Sequence, residues 1–460
     1  MPPQTRIRTA AVILSSVLIT LAAGCAQVVP GAAAPAPDPV PAPAARSAPL
    51  PAPTPLSPDQ VSTATTEALQ AFWREEFPAA YDRPWTDISG FVPVRTRSRA
   101  AAAPPCLRRA SDLAGQAFYC PTADIIAWDA DGLLPAQVEE FGTAGAVVVL
   151  AHEIGHAVHT RLGIGADRGS ARYPPILLEA MADCFAGVAL AHLIASPGAG
   201  LPLDLVERDQ ALLALVGFRD PVGVDSRDEG AHGNAFDRVS AFQLGYGDGA
   251  RRCAEMTVQN QVFTQRRFGS AEDRARRGDL PLPALLPAFE QDARAWFSEV
   301  GGSRVQGWQA PALGDAGSCP GRAARAQGPA VFCAADGAVL VNADELEAVH
   351  RQFGDYAAAL LLASRYGLAT VDAIGVTTTG PEAARTAMCL GGAYTGRLLD
   401  GASFSLSPGD LDEAVQVLLN GDWAARDSGG RADPAEHGFD RVATFRSGLL
   451  DGPQRCLPAP

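Results

Sequence analysis

The chain contains no lysine, so arginine supplies all of the positive charge on its side chains. Acidic residues outnumber basic ones by 51 to 37, which gives a formal net charge of −14. This balance, without a basic stripe, argues against nucleic-acid binding, because phosphate backbones are held by clustered cations. The sequence also lacks a phosphate-binding glycine loop and a serine nucleophile elbow, which argues against P-loop nucleotide chemistry and serine hydrolysis.

The apolar run nearest the N-terminus is too short to span a membrane comfortably. It covers residues 10–23, follows two arginines and ends in Leu-Ala-Ala-Gly before Cys25. A basic start, a short apolar core and a small-residue site are typical of a signal peptide. The cysteine in that position resembles a bacterial lipobox. We predict a lipoprotein signal peptide over residues 1–25 with Cys25 carrying the lipid; plain secretion is the alternative. The Pro/Ala-rich residues 26–57 predict an extended tether.

Eight cysteines remain once Cys25 is set aside, and an even number in an exported chain predicts disulfides rather than a cysteine–zinc site. We therefore expect the protein on the outer face of the cell membrane, or secreted. These cysteines are Cys106, Cys120, Cys184, Cys253, Cys319, Cys333, Cys389 and Cys456.

The cysteine spacing predicts an internal duplication. The first and second cysteines of each set of four are 14 positions apart, and the third and fourth are 69 or 67 apart. The segments 236–253 and 439–456 are identical at ten of eighteen positions. We expect the first cysteine of each set to pair with the second and the third with the fourth, although four cysteines allow three connectivities. The predicted units are residues 58–260, called the first half, a connector over 261–282, and residues 283–460, the second half.

Hydrophobic periodicity predicts a mainly helical α+β fold. Each half begins with an amphipathic, aromatic-bearing helix, and an irregular stretch leads to the first cysteine. After the second cysteine comes a short strand-like run, residues 125–128 or 338–341. A long central helix, a second apolar helix with the third cysteine and a final helix with the fourth complete the unit.

The motif His152-Glu153-Ile154-Gly155-His156 lies in the first of these central helices. Residues four apart share a helix face, so the two histidines can bind one Zn²⁺. Glu153 would then reach an attacking water as general base. Such a motif arises by chance in roughly one of a few hundred chains of this composition, so a third ligand is needed.

Two carboxylates on the next apolar helix, Glu179 and Asp183, supply that need. They are four residues apart and share one face. Carboxylates among apolar residues are costly unless they are paired or bind a metal. Glu179 fits the third ligand, and Asp183 fits a hydrogen-bond acceptor for a zinc-bound histidine. The alternative is an ordinary helix with a partly exposed acidic face.

The second half loses all of these groups together, which favours one functional unit. We predict one zinc per chain, in the first half only. Aligned on Phe141-Gly142 and Phe353-Gly354 and on the third cysteines, the first-half residues His152, Glu153, His156, Glu179 and Asp183 correspond to Ser364, Arg365, Leu368, Ala384 and Met388.

The segments VLAHEIGHAVH, ILLEAMADCFAGV and HGNAFDRVSAF resemble the bacterial neutral zinc metallopeptidase family over roughly residues 65–260. The resemblance implies a zincin-like unit of the gluzincin kind. It implies that His152, His156 and Glu179 bind zinc, that Glu153 is the base and that Asp183 orients a ligand. Residues 180–181 differ from the family pattern but are not ligands. The metzincin alternative fails, because it needs glycine and histidine where this chain has His159 and Leu162.

His232 is a further catalytic candidate, as a donor to the oxyanion of the tetrahedral intermediate; a structural role is the alternative. The expected function is an extracytoplasmic zinc metallopeptidase that acts on peptides or proteins of the cell envelope. Two alternatives stay open. One is a non-enzymatic envelope scaffold, against which the intact Glu153 argues. The other is a zinc hydrolase of a non-peptide amide.

Overall fold

A computed structural model describes residues 56–164, 170–196, 200–315, 328–399, 401 and 404–459. The predicted signal peptide, Cys25 and nearly all of the predicted tether lie outside these ranges. Two 3₁₀ turns, Ala110–Leu113 and Trp423–Ala425, accompany the regular elements. The helices are α1 (Pro58–Tyr81), α2 (Leu133–Arg161), α3 (Pro175–Ala195), α4 (Leu205–Gly217), α5 (Ala235–Asp248), α6 (Ala250–Ala254), α7 (Ala271–Arg276), α8 (Leu282–Gly302), α9 (Ala343–Phe353), α10 (Asp355–Ala373), α11 (Pro381–Leu399), α12 (Asp410–Asn420), α13 (Gly438–Asp451) and α14 (Pro453–Cys456). The strands are β1 (Gly90–Val94), β2 (Ala117–Cys120), β3 (Ile125–Asp129), β4 (Leu313–Asp315), β5 (Ala330–Cys333) and β6 (Ala338–Val341).

The mainly helical α+β prediction is confirmed, with one small sheet in each half. β3 pairs parallel with β1 and antiparallel with β2; β6 pairs in the same way with β4 and β5. The sequence predicted only β3 and β6 as strands. It treated the stretch before the first cysteine as irregular, which was wrong for β1. Strands this short carry too few alternating residues to be recognised by pattern alone.

The long central helix is broken by a glycine in both halves. Gly142 interrupts α2 with φ 65°, and Gly354 separates α9 from α10 with φ 113°. A glutamate fills each break. Glu207 accepts a hydrogen bond from the Ala144 amide at 3.0 Å, and Glu413 accepts one from the Tyr356 amide at 2.7 Å. A carboxylate at this point satisfies an amide that the break leaves without a helical partner.

Glycines also let neighbouring helices approach closely. A Cβ on Gly155 of α2 would lie 2.6 Å from the Ala182 carbonyl oxygen of α3. The corresponding distance in the second half, between Gly367 and the Ala387 carbonyl oxygen, is also 2.6 Å. α2 and α3 are long and apolar enough to cross a membrane, but most of each is buried inside the protein. Their burial makes them helices of the protein core.

The final helix of each half ends before the fourth cysteine. Gly249 and Gly452, both with positive φ, separate α5 from α6 and α13 from α14. Cys253 and Cys456 therefore lie on short helices of their own, and not on the helices that carry Phe-Asp-Arg-Val. Three predicted pairs are confirmed, Cys106–Cys120, Cys184–Cys253 and Cys389–Cys456. Cys333 is disulfide-bonded, and Cys319 lies outside the described residues.

The two halves share one continuous cluster of buried apolar side chains. They meet where α4 and α5 pack against α12 and α13. Polar contacts reinforce this surface. Arg208 pairs with Asp440 at 2.9 Å, and Asp412 accepts a hydrogen bond from the Ala235 amide at 2.7 Å. The sequence prediction did not single out α4 or α12, which build much of this surface.

Candidate metal centre

Three predicted ligands converge where α2 crosses α3. His152 Nε2 lies 3.2 Å from His156 Nε2 and 3.2 Å from Glu179 Oε2, and His156 Nε2 lies 3.5 Å from the same oxygen. The close approach of the helices at Gly155 brings the carboxylate to the histidines. The donor atoms thus form a nearly equilateral triangle, and they are one of the groups whose spacing could hold a metal ion.

The size of this triangle fits a small divalent ion. Zinc binds nitrogen and oxygen ligands at about 2.0–2.2 Å, so two ligands of a tetrahedral zinc are separated by about 3.3–3.5 Å. The three observed separations of 3.2, 3.2 and 3.5 Å agree with that spacing. Two imidazoles and one carboxylate form a donor set that leaves the fourth position for water or substrate, as in catalytic sites.

Asp183 contacts the nitrogen of His152 that does not face the other candidate ligands. Its Oδ1 lies 2.7 Å from His152 Nδ1, and the carboxylate is fully buried. Arg238 of α5 donates to both oxygens, from Nε to Oδ2 at 2.9 Å and from a terminal nitrogen to Oδ1 at 2.8 Å. Arg238 also donates to the Phe218 carbonyl at 2.7 Å. The chain Arg238–Asp183–His152 therefore fixes the imidazole with its Nε2 toward the other ligands.

The charges in this cluster depend on one another. Burial alone would lower the pKa of His152, but the carboxylates of Asp183 and Glu179 raise it to about 10. Burial opposes ionisation of Asp183 as well, yet Arg238 and His152 keep its pKa below the ordinary value. A histidine binds a metal only when the coordinating nitrogen is deprotonated, so metal binding here must displace a proton from His152.

His159 has a role that the sequence did not reveal. Its side chain is buried, with 5% of its surface exposed. Its Nε2 lies 3.0 Å from Nδ1 of His156. Each ligand histidine thus has a partner for its second nitrogen, Asp183 for His152 and His159 for His156. Spacing places His159 near the same face as His156, but only the side-chain conformations show that the rings touch.

Glu153 and His232 line one open cleft together with His152. The cleft has a volume of about 460 Å³, and Glu153 is 8% exposed. The side chain of His232 is 52% exposed, and its Nδ1 lies 3.1 Å from Asp220 Oδ1. This hydrogen bond to Asp220 raises the pKa of His232. The two catalytic candidates therefore share this opening with His152, one of the three candidate metal ligands.

The second half places a different set of side chains at the equivalent position. Arg365, aligned with Glu153, is 1% exposed and donates to Ser364, aligned with His152, and to the carbonyls of Trp423 and Ala424. Burial lowers the pKa of Arg365 to about 9. The position that is equivalent to the candidate metal centre therefore holds a buried hydrogen-bond donor in the second half, and not a set of metal ligands.

The remaining histidines lie away from the centre. His192 packs against Phe72 with ring centroids 4.6 Å apart. His350 is half-buried, and its Nε2 contacts the Leu280 carbonyl at 2.7 Å. His437 is the N-cap residue of α13, a position that Asn234 holds in α5, so it does not occupy the position of His232.

Comparison with protein-family models, curated proteins and solved structures gives no match for this chain. The argument for function therefore starts from the geometry of the centre itself.

Proposed function

We propose that the chain is an extracytoplasmic zinc-dependent peptidase with one catalytic centre, in its first half. The triangle formed by the donor atoms of His152, His156 and Glu179 carries this proposal. Three protein ligands and an adjacent acid that lines an open cleft are typical of a catalytic site, whereas a structural zinc is closed by four protein ligands and needs no base.

The reaction uses groups of this chain for each proton step. When bound, zinc polarises the scissile carbonyl and makes the attacking water more acidic. The Glu153 carboxylate accepts the proton of that water and later delivers it to the leaving amine. His232 is positioned by Asp220 at the same cleft, and it donates a hydrogen bond to the oxyanion. Asp183 and His159 hold the ligand imidazoles so that their coordinating nitrogens stay aligned.

The walls of the cleft suit an organic substrate such as a peptide. Apolar side chains form much of the lining, and polar side chains, Glu153 and His232 among them, line the rest. A large, mostly apolar cleft with a few fixed polar groups is the usual form of a site for an organic substrate. The apolar lining residues are Ala117, Leu133, Val148, Val149, Leu215, Phe218, Pro221 and Val224.

We further propose that the second half is a non-catalytic copy of the first. The matching strand orders, broken central helices and glycine contacts support a tandem duplication. The copy also braces the cleft. Its Asp412 pairs with Arg219 at 3.2 Å and accepts the Ala235 amide, and Arg219 lines the cleft. The second half thus contacts a side chain that lines the cleft of the first half, Arg219.

The disulfides suit an oxidising compartment outside the cytoplasm. Together with the N-terminal sequence they support a lipoprotein that is anchored through Cys25 and acts on peptides or proteins of the cell envelope. The predicted lipid is testable by mass spectrometry of the mature N-terminus.

The decisive experiment compares the wild type with Glu153→Gln on a peptide library at equal zinc loading. The variant keeps the side-chain shape and the metal ligands but loses the base, so we expect cleavage to fall by about a hundredfold or more. Metal analysis should give one zinc per chain for both proteins. Equal cleavage by the two proteins would refute the mechanism, and two zinc ions per chain would refute the non-catalytic second half.

The same assay separates the alternative functions. A wild type that binds one zinc and cleaves no peptide, but hydrolyses a cell-wall amide in a Glu153-dependent way, would replace the peptide substrate with a non-peptide one. A wild type that binds zinc and hydrolyses neither class would favour a scaffold in which the metal is structural.

A further inference from the structure

A second group of carboxylates lies far along the chain from the candidate centre, at the break between α9 and α10. Oxygens of Asp279, Asp355 and Glu413 lie within 4.8 Å of one another. Asp410, which lies in the same first turn of α12 as Glu413, adds a fourth carboxylate. These four residues, called the acidic cluster, come from the connector, the start of α10 and the first turn of α12.

The first half shows how many carboxylates such a break needs. There a single glutamate, Glu207, accepts the amide hydrogen bond at the equivalent break. Thr143 occupies the position that corresponds to Asp355. One carboxylate is sufficient at that break. In the second half Glu413 has this role, and Asp279 also accepts a hydrogen bond from the Asp355 amide at 3.2 Å.

Two buried oxygens of the acidic cluster have no hydrogen-bond partner among the residues that the structure describes. Asp355 and Asp410 are each 3% exposed, and each uses Oδ2 to accept a backbone amide, of Leu280 and Ser407 respectively. Oδ1 of each is buried without a donor. A buried carboxylate oxygen left in this way is costly. Burial and the neighbouring carboxylates raise the pKa values of Asp355, Asp410 and Glu413, which reflects the lack of compensating positive charge.

The nearest cationic side chains make their contacts elsewhere. Arg266 donates to the Leu406 carbonyl, and His350 contacts the Leu280 carbonyl. Within the part of the chain that the structure describes, no arginine or histidine forms an ion pair with any member of the acidic cluster. Among the described residues, the four acidic groups of the cluster thus have no cationic side chain paired with them.

We propose that the acidic cluster binds a divalent cation, and that the cation is Ca²⁺. All of its donors are oxygens, without histidine or cysteine, which selects a hard cation over zinc. A site made almost wholly of protein carboxylates suits calcium, because magnesium usually keeps several of its waters and binds through only one or two carboxylates. The ion would join Asp279 of the connector to α10 and α12 of the second half. This site is independent of the proposed peptidase activity.

Calcium binding is tested by the thermal stability of the full chain with zinc held constant. After calcium is removed, we expect added CaCl₂ to raise the melting temperature by about 5 °C at a hundredfold excess over the dissociation constant. MgCl₂ at the same concentration should give a much smaller rise. Isothermal titration should report one calcium per chain.

Asp355→Asn is the diagnostic variant. It should abolish the calcium-dependent rise and increase the melting temperature of the calcium-free protein, because it removes repulsion among buried carboxylates. Glu207→Gln changes the equivalent break in the first half, and Glu179→Gln changes the candidate zinc centre. Both should keep the calcium-dependent rise, which separates this proposal from the proposed catalytic function.

Two results would overturn the calcium site. One is a wild type whose melting temperature is unaffected by CaCl₂, as expected if the cluster is neutralised by protons. The other is an Asp355→Asn variant that keeps the full calcium response.

Discussion

Replacing Asp183 with asparagine tests whether the metal centre depends on the group behind His152. Asp183 is fully buried and accepts hydrogen bonds from His152 at 2.7 Å and from two nitrogens of Arg238 at 2.8 and 2.9 Å. Asparagine has nearly the same shape but only one acceptor oxygen and no charge. The substitution therefore leaves the buried Arg238 guanidinium without its counter-ion.

Two effects of different size are expected. Removing one partner of a buried ion pair costs about 3–5 kcal/mol of folding free energy. Loss of the carboxylate that orients a ligand histidine weakens metal binding by about 10–100-fold. Arg238 and His152 outweigh burial and hold the pKa of Asp183 below its usual range. The stability difference from wild type is therefore present above the unfolded pKa of about 3.9 and disappears only as the pH falls through the lowered value.

Zinc affinity is measured by competition with a chromophoric chelator, and stability by urea unfolding of the metal-free proteins. Asp292→Asn provides the matched control. Asp292 is a 3% exposed aspartate of α8 that pairs with Arg397 at 2.5 Å in the second half. It should lose stability in the same direction, by a smaller amount because Arg397 is partly exposed, and bind zinc normally.

The reasoning fails if Asp183→Asn binds zinc as tightly as the wild type. It also fails if Asp292→Asn weakens zinc binding to the same degree, since the loss would then follow from general destabilisation and not from the orientation of His152.

Two further predictions concern the packing and the partners of the ligand helix. Alanine at Gly155 or at Gly367 places a Cβ 2.6 Å from a carbonyl oxygen of the neighbouring helix. Urea unfolding should therefore show each variant less stable by about 1–3 kcal/mol. Only Gly155→Ala should also weaken zinc binding, and equal zinc affinity in the two variants would contradict a zinc site in the first half. The His159→Ala variant removes the partner of His156 and should lower zinc affinity about tenfold in the chelator assay. An affinity equal to that of the wild type would show that the 3.0 Å contact between the two histidines has no role in metal binding.

The metal ligands could be predicted because helical periodicity determines which residues share a face. His152 and His156 are four apart, as are Glu179 and Asp183, and the burial of both helices followed from their apolar neighbours. This spacing alone places the two histidines on one face of α2 and the two carboxylates on one face of α3. Their convergence also required the two helices to cross at Gly155, and the sequence suggested this only through its small residues.

Other features could not be predicted because they depend on distant contacts. Gly142 lies in the segment that the sequence predicted as one long central helix, and the break at its positive φ is filled by Glu207, which is distant in the sequence. The acidic cluster combines residues from three segments that have no common motif. The partner of Arg238, Asp183, is identified only by the packing of α5 against α3.

The helices approach each other equally closely in the two halves, and this bears on the kind of metal site that we propose. Gly367 and Ala387 pack as closely as Gly155 and Ala182 do, although Ser364 and Leu368 replace the two histidines. Close approach of these helices is therefore a property of their small residues and does not require a metal. A site whose ligands are already brought together by helix packing contrasts with structural zinc domains, in which metal binding supplies the folding energy. Pre-formed ligands that leave an open coordination position are what a catalytic centre requires, because the metal must bind substrate and water without reorganising the protein.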